Sequence, residues 1–298
     1  MEYRQLGNSD ISISALSFGG MSLDYQNPNA ISLLHKAIDY GVNFFDTSDL
    51  YDQGQNEILL GNALKAHRHK VSIATKVGNK WRSDGSGWDW NPRKNYILTA
   101  VHKSLQRLQT DYIDLYQLHG GTIDDPIDEI IDAFETLKKQ GEIRYYGISS
   151  IRPNVIREYV EKSNITSVMM QYSLLDRRPE EKCLSLLQKN NIGVLARGTV
   201  AKGLLAGKSA KEYLSHSVSQ VEKSVECLKT VTGASKTLSQ TAMQYVLKHH
   251  GVSSAVMGLR TENQVIDSLH NFPEKELSQQ EYEILQNSNN AYLYEHHR

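Results

Sequence analysis

Asn43-Phe44-Phe45-Asp46-Thr47-Ser48-Asp49-Leu50-Tyr51 is the stretch on which the reading of this chain turns. A short apolar run stops at an acid, and a tyrosine follows five residues on. Apolar runs of this length, ending in a polar residue, read as buried parallel strands. Val71-Ser72-Ile73-Ala74-Thr75-Lys76 repeats the form and ends in a lysine. Ile113-Asp114-Leu115-Tyr116-Gln117-Leu118-His119 repeats it again and ends in a histidine. In a closed barrel of eight βα units the C-terminal ends of all strands open onto one face, and that face carries the active site. The pattern therefore aims Asp46, Tyr51, Lys76 and His119 at one point.

Working outward, eight candidate strands are spaced along the chain at 15–19, 42–46, 71–76, 113–118, 143–148, 167–171, 193–196 and 254–257. Helical patterns lie between them. Residues 29–40 carry Ile31, Leu34, Ala37 and Ile38 on one face, and 95–108 carry Ile97, Val101, Leu105 and Leu108. The segment 126–140 opens on a proline and stops at Gly141, a natural C-cap. Strands alternating with helices imply a parallel sheet. With no linker composition anywhere, the expectation is an α/β fold in one domain over residues 1–298: a (β/α)8 barrel with an N-terminal hairpin and extra C-terminal helices. The hairpin covers residues 3–13 around Gly7-Asn8 and is placed to plug the barrel bottom. Residues 199–238 are too many for one βα loop and should hold an added helix near 219–231. A further helix is expected at 279–287, and 292–298 reads as a loose tail.

Composition narrows the function classes. A chain of 298 residues suits one α/β barrel and can bury a large core. A net charge of −1 gives no electrostatic case for nucleic acid or an anionic membrane surface. No apolar run approaches the roughly 20 residues of a membrane span. The start Met1-Glu2-Tyr3-Arg4-Gln5 lacks the apolar segment of a signal peptide. Two cysteines, Cys183 and Cys227, fit a reducing cytoplasm rather than a disulfide scaffold. Asn164-Ile165-Thr166 matches a glycosylation acceptor, and without a secretion signal it is read as chance. No His/Asp/Glu set has metal-ligand spacing, so no metal is expected.

Taken singly, the four polar residues say little. A strand-end lysine is usually solvated, a lone histidine is usually a satisfied polar group, and an aspartate here is often a helix cap. Together they say more. A buried Lys76 beside Tyr51 needs a counter-ion, which Asp46 supplies. A cationic Lys76 favours the phenolate and draws the tyrosine pKa down from about 10, as a general acid for a carbonyl oxygen requires. His119 is placed to orient or polarise that carbonyl. The loop 79–91 holds all three tryptophans, Trp81, Trp88 and Trp90, together with Gly85 and Gly87. They read either as packing that fixes the loop to the barrel or as an aromatic wall for a substrate. There is no G-x-G-x-x-G after a strand, which disfavours a Rossmann site. Gly203-Leu204-Leu205-Ala206-Gly207-Lys208-Ser209 has three residues between its glycines instead of the four of a phosphate-binding P-loop.

At this point the chain resembles the aldo-keto reductase superfamily over nearly its whole length. The resemblance is carried by Leu16-Ser17-Phe18-Gly19-Gly20-Met21, the Asn43–Tyr51 stretch, Glu57-Ile58-Leu59-Leu60-Gly61, Thr75-Lys76-Val77 and Asp111-Tyr112-Ile113-Asp114-Leu115-Tyr116-Gln117-Leu118-His119. Gly147-Ile148-Ser149-Ser150, Gln171-Tyr172-Ser173-Leu174-Leu175, Gly203–Lys208 and Gly258-Leu259-Arg260 continue it in order. The resemblance implies a TIM barrel, NADPH, a small carbonyl substrate and a catalytic tetrad of Asp46, Tyr51, Lys76 and His119. It implies cofactor contacts from Gly20, Met21 and Asp46, then from Ser149, Ser150 and Gln171 at the nicotinamide carboxamide. Ser150 departs from the family's usual asparagine. Arg197 stands where the family stacks an aromatic ring on the nicotinamide; a guanidinium either stacks there or swings out to phosphate. Gly198, Thr199, Val200 and Lys202 would also contact the cofactor, and Gly203 and Lys208 would meet the pyrophosphate. Gly258, Arg260, Gln264, Asp267 and Ser268 would meet the adenosine end, with Arg260 on the 2′-phosphate. Tyr51, Trp81, Trp88, Trp90 and His119 would face the substrate. Two rival classes are a cofactor-binding regulatory subunit, against which the intact tetrad argues, and a metal-dependent barrel hydrolase. Oligomeric state is undetermined.

Overall fold

The computed structural model describes residues 1–234, 236–272 and 276–298. Its strands, in chain order, are β1 (Tyr3–Gln5), β2 (Ser12–Ser14), β3 (Leu16–Gly19), β4 (Phe44–Asp46), β5 (Ser72–Val77), β6 (Asn79–Trp81), β7 (Trp88–Trp90), β8 (Ile113–Leu118), β9 (Ile143–Ser149), β10 (Ser167–Gln171), β11 (Gly193–Arg197) and β12 (Val252–Met257). The helices are α1 (Ala30–Asp39), α2 (Gln55–Leu64), α3 (Lys94–Leu108), α4 (Ile127–Gln140), α5 (Pro153–Lys162), α6 (Cys183–Lys189), α7 (Val218–Thr232), α8 (Leu238–Leu247), α9 (Glu262–Leu269) and α10 (Gln279–Gln286). β3, β4, β5, β8, β9, β10, β11 and β12 close into one parallel barrel, β12 pairing back onto β3. All eight expected barrel strands are present, and α7 is the added helix expected after β11. Gly141 ends α4 at φ +79, where a Cβ would strain the turn. Among the described residues no helix is long and apolar enough to cross a membrane.

Side chains alternate across each strand, so residues two apart share a face. The outer face packs Phe45, Ile73, Tyr116, Ile148 and Val194 against the helices in the larger core. The inner face forms a second, separate core of Phe44, Ala74, Leu115, Met169, Leu195 and Val256. Leu6, Ile11 and Ile13 of the β1–β2 hairpin complete it from below. The hairpin is therefore the barrel's floor, as its sequence suggested.

Two expectations change. The stretch 79–91 is not an open loop but an antiparallel hairpin, with Trp81 paired to Trp88 across β6 and β7. The tail at 292–298 is not loose. Tyr294 is buried under the Arg178 guanidinium, Tyr292 donates to the Ser215 carbonyl at 2.7 Å, and the His297 carbonyl accepts from the Asn154 N–H at 2.9 Å. Burial of the Tyr294 ring and the edge-to-face contact of Tyr292 with His216 offset the entropy of ordering a polar end.

Candidate active site

The same alternation that builds the floor builds the mouth. Two residues beyond Phe44 on the inner face comes Asp46; beyond Ala74, Lys76; beyond Leu115, Gln117 and then His119. Beyond Met169 comes Gln171, beyond Leu195 Arg197, and beyond Val256 Gly258. Ladder pairing sets their heights: Asp46 lies opposite Ala74, and Lys76 opposite Gln117.

Lys76 is almost fully buried, and all three of its ammonium protons have acceptors. Nζ donates to Asp46 Oδ2 at 2.6 Å, to the Thr47 carbonyl at 2.8 Å and to the Tyr51 hydroxyl at 3.2 Å. Gln117 Nε2 donates to the other Asp46 oxygen at 3.3 Å. Burial alone would lower the Lys76 pKa. The Asp46 carboxylate and the Tyr51 oxygen outweigh it and hold the ammonium above its ordinary range. A buried ion pair stands only when its partners are hydrogen-bonded; here Nζ has three acceptors and each Asp46 oxygen has a donor, while burial, opposed by Lys76, still draws the Asp46 carboxyl above its ordinary range.

Tyr51 leaves β4 on a short turn. Asp52 and Gln53 immediately after it both adopt left-handed backbone, at φ 49 and 55. Non-glycine residues in that region cost about 1–3 kcal/mol each, so packing around the turn must hold Tyr51 in place. The Tyr51 and His119 rings meet edge to face at 5.7 Å. Trp81 Nε1 donates to the Leu50 carbonyl at 3.2 Å, which ties the β6–β7 hairpin to the same turn. His119 is pushed down to about 3 by burial and by the charges of Lys76 and Arg197, so its imidazole is neutral.

The other expected residues fall into two groups around the mouth. Gln171 makes three side-chain bonds: Nε2 donates to Asp176 Oδ2 at 2.9 Å and to the Tyr213 hydroxyl at 3.1 Å, and Oε1 accepts from Arg197 at 3.2 Å. Asp176 is itself gripped by two Arg178 donors at 2.8 Å. Gln171, Lys202 and Lys208 line one cavity of about 850 Å³. Ala201, Lys202 and Gly203 run in left-handed backbone, and Lys208 folds its ammonium back onto the Lys202 carbonyl at 3.1 Å. Gln264 and Asp267 line a second cavity of about 710 Å³ with Lys236, Thr237 and Asn263. Arg260 is exposed beside it, its N–H bonded to Gln264 Oε1 at 2.9 Å. Ser150 is buried, its backbone N–H bonded to the Met169 carbonyl at 3.0 Å and its Oγ accepting from the Arg152 N–H at 3.2 Å. Gly20 and Gly258 are close-packed: a Cβ would lie 2.5 Å from Asn56 Oδ1 and from Ser22 Oγ respectively. Met21 is exposed.

The tryptophans separate. Trp90 packs its ring against Gly78 and Gly120 and donates Nε1 to Asp125 at 2.9 Å. Trp88 is exposed, and Trp81 sits next to the Tyr51 turn.

Sequence reasoning missed several polar groups at the site. Ser48 Oγ lies 3.0 Å from His119 Nδ1 and 3.3 Å from Asp49 Oδ1. Behind them Glu57, fully buried, accepts from Thr75 Oγ1 and from Arg107 Nε, both at 2.6 Å. Their signal was spacing: Ser48 is two residues after Asp46, and Gln117 two before His119.

The fold and site define a barrel with an ionised lysine, a tyrosine and a neutral histidine at its mouth. The sequence model of the Aldo/keto reductase family matches residues 15–290, and the chain belongs to that family. It is similar to the oxidoreductase YqkF of Bacillus subtilis, 48% identical over 307 residues and covering 100% of both chains. It is also similar to the solved holo form of aldo-keto reductase AKR11C1 from Bacillus halodurans, with 48% identity, TM-score 0.95, and 100% of this chain and 99% of that one covered. A third relative, 32% identical over 229 residues and 70% of each chain, is the NADH-specific methylglyoxal reductase of Escherichia coli.

Proposed function

We propose that this protein is an NADPH-dependent reductase of aldehydes or ketones, acting in the cytoplasm as a single domain over residues 1–298. The observation that carries the reading is the chain Asp46–Lys76–Tyr51, ending in a hydroxyl beside a neutral His119. Tyr51 gives its proton to the carbonyl oxygen. Lys76, 3.2 Å behind, stabilises the charge that develops on the phenol oxygen. Asp46 and the Thr47 carbonyl fix Lys76. His119 carries no charge to oppose Lys76 and hydrogen-bonds the carbonyl, which orients it.

The residues present suit a nicotinamide dinucleotide. Exposed cations at Arg197, Lys202, Lys208 and Arg260 rim the mouth, matching an anionic ligand. Gly198, at φ +69, keeps the space beside Gln171 open, since a Cβ would crowd Gln171 Cγ at 3.3 Å. Gln171 Oε1 has a second lone pair beyond the one Arg197 takes. We assign Gln171, Ser149 and Ser150 to the carboxamide, Arg197 to Gly203 and Lys208 to the nicotinamide and pyrophosphate side, and Arg260, Gln264, Asp267 and Ser268 to the adenosine side. When bound, the reduced nicotinamide supplies the hydride for the carbonyl carbon. Trp81, tied to the Tyr51 turn, is the tryptophan we place nearest the substrate; Trp90 serves packing.

The test is coenzyme oxidation with NADPH and with NADH across a panel of aldehydes, ketones and sugars. Tyr51→Phe keeps the ring and removes the proton, so reduction should fall by at least about 100-fold while coenzyme still binds. A Tyr51→Phe variant that keeps wild-type kcat refutes the assignment.

A further inference from the structure

Ser48 Oγ has one proton and two lone pairs. One lone pair accepts from the Leu50 N–H at 3.1 Å. One proton and one lone pair remain for two partners, Asp49 Oδ1 at 3.3 Å and His119 Nδ1 at 3.0 Å. Ser48 must therefore give to one and take from the other. If Asp49 is ionised, Ser48 donates to it and accepts from an Nδ1–H, which leaves Nε2 bare. If Asp49 is protonated, it donates to Ser48, Ser48 donates to Nδ1, and the single ring proton sits on Nε2.

We propose that Asp49 is a positioning residue which, through Ser48, sets the tautomer of His119 and so decides whether its Nε2 can donate to a substrate carbonyl. The switch releases one proton. The Asp49 proton passes to Ser48, the Ser48 proton passes to Nδ1, and the proton on Nε2 leaves to solvent. Its catalytic consequence rests on the reductase reading above; its geometry does not.

The surroundings put this switch in a useful range. Burial pushes the Asp49 carboxyl up to about 8, and the buried Glu57 carboxylate of α2 adds to the shift while Arg107 of α3 opposes it. Tyr96 of α3 and Tyr116 of β8 also face it, both raised by burial and neutral. His119 faces Lys76 of β5, Arg197 of β11 and the Tyr51 ring, and with its own titration down at about 3 it stays neutral throughout. The donor form therefore holds at pH below about 8 and gives way above it.

The experiment records the ring-nitrogen resonances of His119 in the 15N-histidine-labelled full chain without coenzyme, from about pH 6 to about pH 10, a span that brackets the unperturbed histidine and tyrosine values. His119→Gln identifies the signals. The wild type should show Nε2–H at the acid end and Nδ1–H at the alkaline end. Asp49→Asn offers a permanent amide donor to Ser48 and should hold Nε2–H throughout. Ser48→Ala should abolish the switch, and Ser48→Thr should restore it. Aldehyde reduction should lose kcat/KM along the same alkaline limb in the wild type and not in Asp49→Asn. A wild-type ring that keeps one tautomer, or an Asp49→Asn ring that switches at the wild-type midpoint, overturns the relay. If Asp49→Asn does not fold, Ser48→Ala against Ser48→Thr decides it. Absence of any coenzyme turnover refutes the reductase reading and leaves the ring measurement standing.

Discussion

The floor and the mouth of this barrel are made by the same strands, two residues apart, and have opposite physics. At the floor the apolar side chains of Phe44, Ala74, Leu115, Met169, Leu195 and Val256 close over Leu6, Ile11 and Ile13 of the hairpin. At the mouth Asp46, Lys76, Gln117, His119, Gln171 and Arg197 stand on the next inward positions. The floor is held by area removed from water, which is non-directional. The mouth is held by directed hydrogen bonds around a buried charge, each of which fails if its partner is lost. A single closure therefore supplies both a rigid base and a polar site fixed to it.

The largest effect should come from breaking the mouth's ion pair. Lys76→Met leaves the Asp46 carboxylate buried without its cation, and unfolding in urea should show a loss of about 3–5 kcal/mol. Carbonyl reduction should disappear as well. Lys76→Met with Asp46→Asn should recover much of the stability and none of the activity. If Lys76→Met alone is as stable as the wild type, the distinction between floor and mouth fails.

At the floor, Leu6→Ala should cost about 2–5 kcal/mol by removing apolar contact and leaving a cavity. Its kcat per folded molecule should stay at the wild-type value. A Leu6→Ala enzyme that is folded but slow would show that the floor tunes the mouth.

The smallest effect is expected at the rim. Arg260→Ala should weaken NADPH binding by roughly 10- to 150-fold, the scale of lost hydrogen bonds to a charged group. NADH binding should hardly change, because NADH has no 2′-phosphate for Arg260 to meet. Equal losses for both coenzymes would assign Arg260 a structural role.

Much of the barrel was legible because its strands are short, apolar and evenly spaced. Asp46, Lys76 and His119 stood out because each ends such a run. Ser48, Asp49 and Gln117 lie within or beside the same motifs and carry no signal of their own, since a serine or glutamine in a strand or turn is ordinary until its neighbours are known. The tryptophans are neighbours in sequence more than in space. Clustering in sequence left packing and a substrate wall both open, and the hairpin sets the three apart, with Trp90 against glycine backbone and Trp88 exposed. The tail misled by its polarity, because the surface that buries Tyr294 lies more than a hundred residues upstream, at Arg178.

The sequence by itself determined the eight barrel strands and their order, five of the helices, the hairpin before them, and which polar residues sit at strand ends. Local pattern is enough for these, because apolar periodicity and caps act within a few residues. Only the tertiary structure decided which side of each strand faces inward. Parallel strands buried on both faces are apolar on both, so their sequence carries no alternation to read. Closure of the ladder, with Asp46 opposite Ala74 and Lys76 opposite Gln117, is what turns Phe44 to the floor and Asp46 to the mouth.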